Sequence, residues 1–174
     1  NNQLKNSNAG LKNAAQNLPE KGEAAGMDLW HTAKPTGKKY RKFVNAAKKK
    51  GRQTLFVKVD NETGQAGHNF LILAIPSASE VTLGNLTSFF PVNGAKPQYA
   101  YIKEVPAGSS TTYLNLTNSN VSLAFFFENS QGNYWFKGSR GRLDKVESYS
   151  HFAKTLSQIG LNAGKLKVAK IKKQ

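Results

Sequence analysis

The sequence predicts a mainly β protein: an antiparallel β-sandwich carried between a basic N-terminal arm with a helix and a C-terminal helix with a basic tail. Two observations predict it. The apolar period is two across residues 53–137 and helical on either side. The charge divides in the same way. Residues 1–52 carry 12 Lys and Arg against three acids, and residues 137–174 carry 10 against two. Residues 53–136 carry three Lys, no Arg and five acids. The net charge of +15 therefore resides at the two ends of a near-neutral centre. The expected parts are a basic arm over 1–52 containing an amphipathic helix at 37–50, a sandwich over 53–137, and a basic loop, helix and tail over 138–174.

Residues 1–26 are rich in Asn, Ala, Gly and Lys. Leu4, Leu11 and Leu18 recur every seven residues, but Gly10 and Pro19 oppose a lone helix. A flexible arm that orders against a partner is expected. "MDLWHTAKPTG" (27–37) reads as a loop, with Met27, Leu29 and Trp30 anchoring the arm. "KKYRKFVNAAKKKGR" (38–52) holds eight Lys or Arg and no acid. Thr36 is a candidate cap and Gly51 a candidate stop for a helix. Tyr40, Phe43, Val44 and Ala47 fall on one helical face, and the cations fall largely elsewhere. Lys48, Lys49 and Lys50 stand where the helix dipole favours cations.

From residue 53 the pattern changes. "TLFVKVD" (54–60), "HNFLILAIP" (68–76), "EVTLGNL" (80–86), "TSFFPV" (87–92), "QYAYIKEV" (98–105), "STTYLNLT" (110–117), "VSLAFFFE" (121–128) and "NYWFK" (133–137) read as strands separated by turn residues. No helical segment interrupts them, which disfavours a parallel sheet with crossovers. Tyr113, Asn115 and Thr117 alternate with Leu114 and Leu116, giving a wet and a dry face. "LAFFF" (123–127) has no wet face, so a helix or a neighbouring subunit must cover it. "KGSRGRLDK" (137–145) reads as a Gly-spaced cationic loop. Val146, Tyr149, Phe152, Leu156 and Ile159 are at helical spacing, with Gly160 as a stop. "GKLKVAKIKKQ" (164–174) reads as an edge strand or a loose basic tail.

The chemistry these residues exclude is broad. There is no Cys, so disulfides and thiolate metal sites are absent. The longest apolar runs fall far short of a membrane span. The chain opens on Asn1 without a signal-type apolar run, as removal of an upstream piece would leave it. His31, His68 and His151 are isolated and read as structural. The 10 acids form no cluster for Mg²⁺ or Ca²⁺, and no phosphate-binding or nucleophile motif is present. No catalytic residue, metal, cofactor or small-molecule substrate is therefore expected. Asn61, Asn85, Asn115 and Asn120 begin N-x-[ST] patterns, which an Asn-, Ser- and Thr-rich chain generates by chance.

The positive signal is the cations. Contacts to a polyanion are expected from Lys38, Lys39, Arg41, Lys42, Lys48, Lys49, Lys50 and Arg52, and from Lys137, Arg140, Arg142, Lys165, Lys167, Lys170, Lys172 and Lys173. Such residues bind phosphates by counterion release, without reading sequence. Trp30, Tyr40, Phe43 and Tyr149 stand in or beside these segments. They suit stacking on unpaired bases, although at helical spacing the same rings serve as core anchors.

"YIKEVPAGSSTTYLNLTNSNVSLAFFF" (101–127) runs from a strand through "PAG" to a polar-alternating strand and then a Phe-rich one. This order, with "LFVKVDN" (55–61) opening the sandwich, resembles the small single jelly-roll capsid and vertex proteins of tailless bacterial viruses over about 75 residues. The resemblance implies a jelly-roll-like sandwich and a structural role, and supplies no site residues. The expected function is thus a shell-forming, capsid-type protein located in the virion. Its partners are further copies of itself, other shell subunits, and nucleic acid or an anionic membrane met by the basic ends. One alternative is a non-sequence-specific nucleic-acid-binding β-barrel, which would keep cations on its barrel face. Another is a secreted toxin-like protein: a membrane-binding sandwich, or a ribonuclease assembled from His68, His151 and Glu128.

Overall fold

The period-two stretches pair into two antiparallel sheets in a computed structural model that describes residues 24–31, 37–91, 94, 96–117 and 120–173. In chain order the elements are β1 (Met27–His31), α1 (Lys38–Lys49), β2 (Gln53–Asn61), β3 (Gly67–Ile75), β4 (Gln98–Val105), β5 (Gly108–Leu116), β6 (Ser122–Glu128), β7 (Tyr134–Lys137), β8 (Leu143–Val146), α2 (Tyr149–Gln158) and β9 (Lys172–Lys173). Short 3₁₀ turns span Leu86–Phe89 and Ala163–Lys165. One sheet runs β1-β2-β5-β9, the other β4-β3-β6-β7-β8. Arm residues 1–23, with Leu4, Leu11 and Leu18, lie outside the described residues, as does Thr36.

Alternation decides which side chains meet between the sheets. Val57 and Val59 of β2 and Leu114 and Leu116 of β5 face Phe70, Ile72, Phe125 and Phe127 of the larger sheet. Each such side chain, fully buried, contributes about 1.5–3 kcal/mol. The next residues along the same strands, Leu71, Leu73, Ala124, Phe126 and Phe136, point the other way and are equally dry. They are covered by Phe152, Leu156 and Ile159 of the α2 segment and by Val81, Leu86 and Phe90. Phe126 meets Phe152 edge-on at 5.2 Å. The C-terminal helix is thus what covers "LAFFF". Ser148 caps it by accepting from the His151 N–H at 3.2 Å, and Gly160 ends it at φ +85°.

Three readings are corrected. Residues 27–31 are a strand and not a loop: β1 pairs antiparallel with β2 from Met27 opposite Asn61 to His31 opposite Val57. Residues 80–91 are not strands. The Asn85 side chain accepts from Thr82 N–H at 2.8 Å and donates to Glu80 C=O at 2.9 Å, which curls the backbone into a turn. Val81 is pinned instead by Ser139, donating its N–H to Oγ at 2.8 Å and accepting from the Ser139 N–H at 3.1 Å. That approach needs Gly138, where an added Cβ would stand 2.2 Å from the Val81 oxygen. Finally, the cationic loop at 137–145 contains β8, which pairs with β7, and Val146 belongs to this strand rather than to the helix.

The two sheets are joined along both sides. On one side Lys137 of β7 reaches β1, donating to Met27 C=O at 3.2 Å and lying 3.6 Å from Asp28 Oδ2. On the other, the C-terminal segment crosses from sheet to sheet. Val168 bridges Tyr101 of β4, and Lys172 and Lys173 pair with Thr111 and Ser110 of β5.

Candidate polyanion-binding surface

The basic helix takes its place from its apolar face. Val44 and Ala47 are buried against the smaller sheet, and Tyr40 and Phe43 are half-buried. Tyr40 meets Phe56 of β2 edge-on at 6.1 Å, and Phe43 meets Tyr113 of β5 at 4.1 Å. Those two partners sit on the outward face of their strands, which an open sandwich leaves wet. The helix starts at Gly37 without a side-chain cap and ends where Gly51 takes φ +70°. With that face turned in, Lys38, Arg41, Lys42, Lys48, Lys49 and Lys50 are exposed, as is Arg52 beyond the helix. Lys48 and Lys49 lie in the last turn, where the dipole favours them. Lys39 is within α1; its side chain is outside the described ones.

The second basic segment starts at the other sheet and reaches this face at Lys170 and Ile171. Lys165 and Lys167 are exposed beside the edge of β4, where Tyr99 Oη accepts from the Lys167 N–H at 3.1 Å. The chain then passes Lys170, whose carbonyl accepts from Thr112 Oγ1 at 2.9 Å, and reaches β9. The backbone of Lys172 and Lys173 thereby runs beside β5. Lys170 and Ile171 line a cavity of about 430 Å³ together with Tyr40, Phe43, Phe56 and Tyr113. Ends of the chain that are separated by more than a hundred residues in sequence thus converge on one face. A second cavity of about 400 Å³, at the end of the sandwich, has Arg52 and Lys96 in its wall.

The cations of the β7–β8 region stand apart from this face. Lys137 has a side chain only 12% exposed and is committed to Asp28. Arg142 lies 3.3 Å from Asp144, and Arg140 lies 4.0 Å from Glu80. Both arginines are exposed pairs of small energetic weight. Trp30, 55% exposed on β1, and Tyr149, 49% exposed, are each outside the cavity.

A polar cluster lies on the far face of the larger sheet. A bulge between His68 and Leu71 turns Asn69 to φ +47°. Its amide donates to Glu128 Oε1 at 3.0 Å and to Tyr134 Oη at 3.3 Å, and accepts from Tyr101 Oη at 2.5 Å. Burial first, and the Glu128 carboxylate second, push the Tyr134 hydroxyl up to about 12. Burial, then Tyr149 and Glu128, raise Tyr101 as well. His68 stands opposite Glu128 in the ladder, but Glu128 is taken up by Asn69. His151 lies exposed in the first turn of α2. Among the described residues no group of three His, Asp or Glu side chains is placed to hold a metal, and no helix is long and apolar enough to cross a membrane.

Three of the N-x-[ST] positions, Asn61, Asn85 and Asn115, hold structural hydrogen bonds. Asn61, 1% exposed, donates to Gln65, Val105 and Pro106 carbonyls and accepts from Thr63. Asn115 accepts from Thr54 Oγ1 at 2.8 Å.

Sequence reasoning missed Phe56, Tyr113 and Ile171 as neighbours of the basic helix. The available signal was two aromatics on strand faces that alternation marks as wet. Comparison of this chain with protein-family models, with curated proteins and with solved structures gives no match.

Proposed function

We propose that this chain is a structural, shell-forming protein of the capsid type, whose basic face meets a polyanion on one side of a near-neutral sandwich. The observation that carries the reading is that Lys170 and Ile171 of the C-terminal segment meet α1 at one cavity on the smaller sheet. Segregated charge of this kind lets identical sandwiches lie side by side, because repulsion falls on the surface that the polyanion neutralises. The capsid-like stretch at 101–127 contributes β5, β6 and most of β4, adjoining that face and the core. Support comes from the sandwich and its charge. Strand order adds none, since β6, β7 and β8 follow one another in one sheet while a jelly roll is two Greek keys.

Size-exclusion chromatography with light scattering and absorbance at two wavelengths, one for nucleic acid and one for protein, tests the reading. Large uniform particles, or oligomers carrying nucleic acid, are expected. A monomer of 19.0 kDa without nucleic acid, at low and at high salt, would overturn it.

A further inference from the structure

The polyanion can be narrowed from the way α1 is seated. An amphipathic helix binds a membrane surface by laying a free apolar face into the headgroup region. The apolar face of α1 is not free: Val44 and Ala47 are buried, and Tyr40 and Phe43 rest on Phe56 and Tyr113. What stays open is the cavity beside that contact. Its volume of about 430 Å³ falls within the range of small-molecule sites, about 300–1,000 Å³. Four aromatic residues line it, together with Lys170, which is exposed. The surrounding helix surface is cationic and carries no acid.

Aromatic walls with Lys170 among them, beside a cationic helix, match a planar group attached to an anion. A second copy of the chain is a poor occupant here, because its near-neutral sandwich brings no concentrated negative charge to this basic surface. A duplex presents its phosphates but keeps its bases stacked. We infer that the cavity between α1 and the smaller sheet receives an unpaired base of a single-stranded nucleic acid, with the flanking phosphates held by Lys170 and the exposed cations of α1. The inference rests on the polyanion reading above and specifies its partner. Stacking on protein rings is tolerant of base identity, so no sequence preference follows beyond a preference for single strands.

Fluorescence anisotropy on the full chain tests this with three probes of one length: oligothymidylate, an abasic strand with the same phosphates, and a duplex. The unmodified protein is expected to bind oligothymidylate roughly ten- to a hundredfold more tightly than the abasic strand. Tyr113→Leu should erase that preference and leave abasic and duplex binding unchanged, while Tyr113→Phe should retain it. Lys170→Gln, at an exposed position, should lower the salt slope on single strands by about 0.7. It serves as the independent variant if Tyr113→Leu unfolds. Equal affinity for oligothymidylate and abasic strands, or a preference that survives Tyr113→Leu, would overturn the base site and leave the basic surface standing. An unchanged slope in Lys170→Gln would do the same. Failure to bind any of the three probes, with or without binding to phosphatidylserine vesicles, would overturn the nucleic-acid partner and this site together.

Discussion

Replacing Phe152 by Ala tests whether α2 is part of the core or an attachment to it. Phe152 is 1% exposed and sits between Phe126 at 5.2 Å and Tyr134 at 5.5 Å. Truncating a buried Phe costs about 3–5 kcal/mol through lost transfer energy and the cavity left behind. Aromatic pairs add about 0.5–1.5 kcal/mol each, so the low end of that range is passed and about 4 kcal/mol is expected. For a chain of 174 residues this lowers the melting temperature by about 8–16 °C. Urea and thermal unfolding followed by circular dichroism measure it. Phe43→Ala is the contrast: its ring is half-buried on an outer face, and a loss of about 1–2 kcal/mol is expected. A loss below about 1 kcal/mol for Phe152→Ala would mean that the larger sheet tolerates an open outer face, and the layered account of the fold would be wrong.

Two further outcomes follow from the buried polar groups. Asn61→Ala removes a side chain that ties the β2–β3 turn to the carbonyls of Val105 and Pro106, and should cost about 2–3 kcal/mol in urea unfolding; an unchanged midpoint would show the staple to be idle. Tyr134 has a folded value raised from 10.0 to about 12, so the unfolded chain ionises first. The stability that this difference confers is complete below pH 10 and is lost as pH rises towards about 12. Tyr134→Phe should therefore flatten the alkaline limb of a stability–pH curve, and an equally steep limb in that variant would assign the loss elsewhere.

Much of the fold is legible in the sequence because its strands are long and their neighbours conventional. β2 to β6 and both helices follow from alternation, spacing and glycine stops. Two of the failures share a cause. β1 and β8 are short edge strands with charges, Asp28 in one and Asp144 and Lys145 in the other, and edge strands carry charge where central ones cannot. Residues 80–92 have strand-forming composition, yet Val81, Leu86 and Phe90 all bury in one cluster, which turns permit and alternation does not. In the candidate site, the cations were visible as composition and their division was not. Lys137 differs from Lys170 only in what the topology sets beside it: Asp28 of β1 in one case, aromatic rings in the other.

The seam closed by residues 168–173 also governs how copies of this sandwich can join. Each sheet ends in two strands whose outer backbone groups seek partners. On the seam side Val168 and Ala169 meet Tyr101 of β4, and Lys172 and Lys173 meet Thr111 and Ser110 of β5. Among the described residues, β1 and β8 are the outer strands on the side where Lys137 reaches Asp28. An uncovered edge is a template for strand addition, and β8, four residues long and charged, is a poor one. On this side β1, five residues long with Asp28 as its one acid and with Trp30 in solvent, is the better template of the two.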